Sequence, residues 1–121
     1  MALKRPQSRT LAEGLSDIVG SKLSSVEFVQ DYLQLHFDGS TLTTYTLPTL
    51  KLEDVSLNRG QVGFRDALCG QIDNVVEAVS INDHISLSFA TGAIVKVSLR
   101  DEDYRGSEAI QFSVGDERWI Q

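Results

Sequence analysis

A pattern that occurs twice constrains this chain more than any other feature. Ile18-Val19-Gly20, followed by Val26-Glu27-Phe28-Val29, returns fifty positions later as Leu68-Cys69-Gly70, followed by Val76-Glu77-Ala78-Val79. Beyond a turn that gains two residues, Leu33, Leu35, Phe37, Leu42, Tyr45 and Leu47 are matched by Ile85, Leu87, Phe89, Ile94, Val97 and Leu99. A spacing kept over so long a stretch predicts one supersecondary unit used twice. No reactive group recurs within it, so the repeat speaks to architecture rather than chemistry.

Thr10 and Glu13 make an S/T-x-x-E capping box ahead of Leu11, Leu15, Ile18 and Val19, which share one face of a helix, and Gly20 follows as a left-handed cap. Val26 to Val29 and Tyr32 to Phe37 read as strands, with Leu33, Leu35 and Phe37 alternating against Gln34 and His36. Asp38-Gly39 is a hairpin turn, and a return strand runs from Leu42 to Leu47 until Pro48 ends it. Residues 48–60 form a bridge of two short strands or one bent strand. A second helix then runs from Gln61 or Val62 to Cys69, with strands at Val75 to Ile81, His84 to Phe89 and Ala93 to Leu99.

The expected fold is α+β in a single domain over 1–121. It has a frayed N-terminus (1–9), a first helix-plus-three-strand repeat (10–47), the bridge (48–60) and a second repeat (61–99). An acidic loop and a C-terminal hairpin without a counterpart complete it (100–121). The sheets are antiparallel and the two repeats are related by a pseudo-twofold axis. Each repeat has one apolar sheet face and a short helix, so the copies are expected to share a core. At 121 residues the chain buries roughly two-thirds of its unfolded surface without help from disulfides or metal.

Composition narrows the function classes. The net charge is −6 and the pI about 4.7, unfavourable for a phosphate backbone, and the only basic cluster is Lys4, Arg5 and Arg9. No apolar run reaches the ~18 residues of a membrane span. One cysteine, Cys69, and the lack of a signal-peptide pattern point to a reducing cytoplasm.

Candidate chemistry is sparse. His36 and His84 fall on or beside strands, with no zinc-site spacing around them. Cys69 takes the place of Val19 on an apolar helix face and reads as a buried structural thiol. Asp101, Glu102 and Asp103, with Glu108 nearby, are the densest carboxylate group, and their spacing is not that of an EF-hand. Arg65 is the most informative polar residue, because at a fifty-residue spacing its equivalent is the core residue Leu15. Either its stem lies on the core while the head reaches solvent, or it crosses between the repeats and pairs with a carboxylate of the acidic loop or of a ligand. Partial or full burial is expected, with at least one carboxylate partner.

The helix Gly63-Phe64-Arg65-Asp66-Ala67-Leu68-Cys69, the run Ser98-Leu99-Arg100-Asp101-Glu102-Asp103 and the tail from Ser107-Glu108-Ala109 through Phe112 to Trp119 resemble a set of small bacterial proteins of unknown function. In these a D-A-L helix, an L-x-F strand and an E-A-x-x-F tail with a terminal Trp recur. The resemblance implies a bacterial source and a cytoplasmic setting, and brings no activity with it.

The expected role is therefore a non-enzymatic binding or assembly module with no cofactor and no metal, acting on itself or another protein rather than on nucleic acid or membrane. The alternative is a small-anion-binding domain with Arg65 at the interface of the repeats, and Asp101, Asp103 and Glu108 as its ion-pair or ligand partners. Phe112 and Trp119, in a hairpin expected at a sheet edge, are the candidate interface for a homodimer, with the equal alternative that Trp119 folds back over the protein's own core.

Overall fold

The computed structural model describes residues 9–121. Lys4 and Arg5 of the basic cluster lie outside the described residues. Arg9 is held by ion pairs to Asp17 and Glu117.

Helix α1 (Leu11–Leu15) starts where the capping box predicts. Thr10 Oγ1 accepts from the Glu13 amide at 3.2 Å, and Glu13 Oε1 accepts from the Thr10 amide at 2.9 Å. A 3₁₀ turn over Ser16–Ile18 continues it, and Gly20 follows at φ 88°. The strands then run β1 (Leu23–Phe28), β2 (Leu33–Phe37), β3 (Ser40–Thr44), β4 (Thr49–Lys51) and β5 (Ser56–Asn58). Helix α2 (Phe64–Cys69) is followed by β6 (Val76–Ile81), β7 (His84–Phe89), β8 (Ile94–Ser98), a 3₁₀ turn at Asp101–Asp103, β9 (Ile110–Val114) and β10 (Glu117–Ile120). The fold is mixed α+β, with two antiparallel sheets and few helices.

The sheets have the orders β1-β2-β3-β9-β10 and β5-β4-β8-β7-β6. Each is a three-strand meander extended by a hairpin, and each hairpin comes from the far side of the chain. β9 and β10 follow β8 in sequence but pair onto β3, while β4 and β5 follow β3 but pair onto β8. The final hairpin, expected to stand outside the plan, thus occupies in one sheet the place that β4-β5 occupies in the other.

The sheets meet at an isolated antiparallel bridge between Lys22 and Val75, 53 positions apart. Four hydrogen bonds surround it: Leu23 N–H to Asn74 C=O (3.1 Å), Val76 N–H to Ser21 C=O (2.9 Å), Gly20 N–H to Val76 C=O (2.8 Å) and Asp73 N–H to Leu23 C=O (2.7 Å). Shifting both partners by 53 turns the first into the second and the third into the fourth. The same shift carries Gly20 onto Asp73, the one non-glycine with positive φ (76°) among the described residues. It carries the N-cap Thr10 onto the N-cap Gly63, and the buried Leu15 onto the buried Leu68.

One core serves both sheets. Leu23, Leu33, Leu35, Phe37 and Leu42 of the first sheet and Val76, Ile85, Leu87, Phe89 and Val95 of the second face it, and each such side chain contributes about 1.5–3 kcal/mol when taken from water. Helix α1 packs on β6 and β9, and α2 on β1 and β4, so each helix covers strands of both sheets.

Candidate functional site

Alignment at 53 rather than fifty corrects an expectation about α2. Arg65 then corresponds to exposed Ala12, not to Leu15, and Arg65 is exposed. Its guanidinium lies 5.3 Å from the centroid of the Phe28 ring and pairs with no carboxylate among the described residues. Three residues turn a helix through nearly a full circle, but not quite, which moves a residue from the edge of the apolar face to the solvent side. Cys69, expected to be buried in the place of Val19, is exposed, as Val19 itself is.

The other predicted residues are dispersed. Asp103 accepts from the Ser98 hydroxyl at 2.5 Å, and Arg100 pairs with Glu102 at 2.8 Å beside the exposed Asp101. Glu108 lines a different surface. Phe112 and Trp119 are in the core: their rings stack with centroids 5.7 Å apart, and the Trp119 Nε1–H donates to the Arg9 carbonyl at 3.0 Å. The indole therefore covers the protein's own interior. His36 contacts Thr41 at 3.0 Å and Glu27 at 3.3 Å, and among the described residues no three His, Cys, Asp or Glu side chains gather as metal ligands would.

Arginines converge elsewhere, on the turn that joins β1 to β2. Arg59, in the turn after β5, donates to the Val29 carbonyl. Arg105, in the loop between β8 and β9, donates to the Asp31 carbonyl at 3.4 Å. Arg65, from the first turn of α2, covers Phe28. Three guanidiniums are thus anchored on one four-residue stretch by carbonyls and a ring face, none of which neutralises their charge. The Arg59 guanidinium is held below its usual range, first by burial, then by the neighbouring charges of Arg105 and Arg65, with Asp31 opposing. Arg9, Lys22 and Arg100, by contrast, have carboxylate partners.

Two clefts flank this turn. One, of about 390 Å³, is lined by Asp31, Tyr45, Arg105, Gly106, Ser107 and Glu108. Tyr45 meets Tyr32 with centroids 5.8 Å apart. Burial, the charge of Glu108 and Tyr32 push its hydroxyl above the ordinary tyrosine range, so at neutral pH it remains a donor. The other cleft, about 430 Å³, is lined by Arg59, the loop of residues 60–63, Arg65 and Asp66.

The sequence points to Arg65 and Glu108 but not to Arg59 or Arg105. Each of those sits in a turn next to glycine and reads as loop punctuation, and only the tertiary fold brings residues 28, 59, 65 and 105 together. No helix among the described residues is long and apolar enough to cross a membrane. No protein-family model matches the chain, and no curated protein or solved structure is significantly similar to it.

Proposed function

We propose that this protein is a binding module that captures an anionic group on the arginine cluster at the β1-β2 turn. The observation that carries the reading is the set of Arg59, Arg65 and Arg105, three guanidiniums on one turn with no ion pair among the described residues, in a chain of net charge −6. Gathering like charges raises the energy of the free protein, and a bound anion relieves it. Guanidinium forks suit carboxylate and phosphate oxygens, which they grip with two parallel hydrogen bonds.

Thermal unfolding of the full chain with pyrophosphate, citrate and ionic-strength-matched chloride tests this. A ligand at 100 times its Kd adds about 2.7 kcal/mol of stability. Either polyanion should raise the Tm above the chloride control, and Arg59→Gln combined with Arg105→Gln should remove the rise. A wild-type protein that responds to neither overturns the reading.

We infer also that the module consists of two copies of one unit, each a helix, a three-strand meander and a hairpin, with the hairpins exchanged between copies about a pseudo-twofold axis at Lys22 and Val75. The paired hydrogen bonds at a constant shift of 53 support this, as do the matching sheet orders. Such an arrangement is that of a hairpin-swapped dimer joined into one chain. Binding surfaces need no symmetry, and the arginines respect none: Arg65 corresponds to Ala12, and Arg105 lies in a loop longer than its counterpart after β3.

A further inference from the structure

Building on the anion-binding reading, we propose that the natural ligand is zwitterionic, an amino acid or short peptide whose acid group meets Arg105 and whose ammonium enters the cleft at Glu108 and Asp31. The 390 Å³ cleft carries both signs of charge, since Arg105, Asp31 and Glu108 all line it. Its volume is in the range of small-molecule sites. Arg105 and Glu108 line the same space yet form no salt bridge with each other, and Glu108, half-buried, has no hydrogen bond or ion pair among the described residues.

A carboxylate and a guanidinium that line one open cleft without pairing are matched best by a ligand that brings a cation to the first and an anion to the second. A simple polyanion would satisfy the arginines and leave Glu108 opposed to like charge. Tyr45 and Ser107, which also line the cleft, add hydroxyl donors for the acid end or for a peptide carbonyl.

Glutarate and glutamate differ only by the α-ammonium, and their comparison isolates the claim. In calorimetric titrations of the full chain, glutamate should bind at least tenfold more tightly than glutarate. Glu108→Gln should abolish that preference without weakening glutarate, while Arg105→Gln should weaken both. Glutarate binding as well as glutamate in the wild type, or a preference that survives Glu108→Gln, overturns the proposal, as does failure of both to bind. A parallel pyrophosphate titration separates the two readings, since binding of pyrophosphate with no glutamate preference sinks the zwitterion and leaves the anion site standing.

Discussion

The indole of Trp119 lies against the bare Cα of Gly14, so close that a β-carbon on Gly14 would stand 2.4 Å from Cη2 and within 2.8 Å of two further ring atoms. The contact fastens α1 to the C-terminal hairpin, and the far end of a stacked indole has no room to yield. Gly14→Ala should therefore cost about 1–3 kcal/mol by overpacking, despite alanine's better helix propensity. Urea denaturation followed by the single tryptophan reads this directly as a lower midpoint with unchanged slope. A midpoint equal to the wild type's would mean that the two do not pack as described.

The left-handed residues at the joint between the sheets give a second prediction. Gly20 and Asp73 hold φ 88° and 76°, and only glycine does so without strain. Gly20→Ala should destabilise by about 1 kcal/mol. Asp73→Gly should be neutral or stabilising, because the exposed Lys22–Asp73 pair that it removes contributes at most about 1 kcal/mol. Loss of stability in the second variant comparable to the first would contradict this.

Acid sensitivity should centre on Arg9. Its hydrogen bond and charge hold the Asp17 carboxyl below the usual carboxylate range, and the Thr10 backbone and side chain do the same to Glu13. A carboxyl whose folded pKa is depressed adds stability that is present above its unfolded pKa of about 4 and is lost as pH falls through the folded value. Stability should thus fall as the pH drops below about 4. Arg9→Met should be less stable at pH 7 and lose less between pH 7 and pH 3 than the wild type. Parallel pH profiles for the two proteins would contradict the account.

The proposed exchange of hairpins makes the halves interdependent. Residues 9–59 keep β1, β2 and β3 but lose the strand β9 that closes their sheet, and residues 60–121 lose β4 in the same way. Neither half should fold as a monomer. Co-expressed, they should assemble into one complex with the circular dichroism of the intact chain. Independent folding of either half as a monomer would argue against the exchange.

Local pattern carried much of this fold. The capping box at Thr10, the alternation through Leu33, Leu35 and Phe37 and the Asp38-Gly39 turn were all legible, because each depends on a few neighbouring residues. The spacing of the recurrence was not. Val-Glu occurs at both 26 and 76, and its identity favours a shift of fifty, whereas the backbone bonds at Lys22 and Val75 align Leu23 with Val76. The coincidence of two letters misplaced Arg65 on its helix, whereas Cys69 shares the exposure of Val19, its equivalent at that shift. The destination of each hairpin was equally hidden, since nothing in Thr49 to Asn58 states that it pairs with β8 rather than β3. The arginine cluster follows from that same long-range pairing, so its members looked unrelated until the loops were brought together.

Backbone amide shifts of the ¹⁵N-labelled full chain during titration with pyrophosphate test the central claim most directly. The account predicts saturable perturbations concentrated at Val29, Gln30, Asp31 and Tyr32, at Arg59 and Gly60, and at Arg105 and Gly106, all lost in the Arg59→Gln, Arg105→Gln double variant. Perturbations spread over other basic positions such as Lys22, Lys51 and Lys96, or unchanged by the double variant, would contradict it.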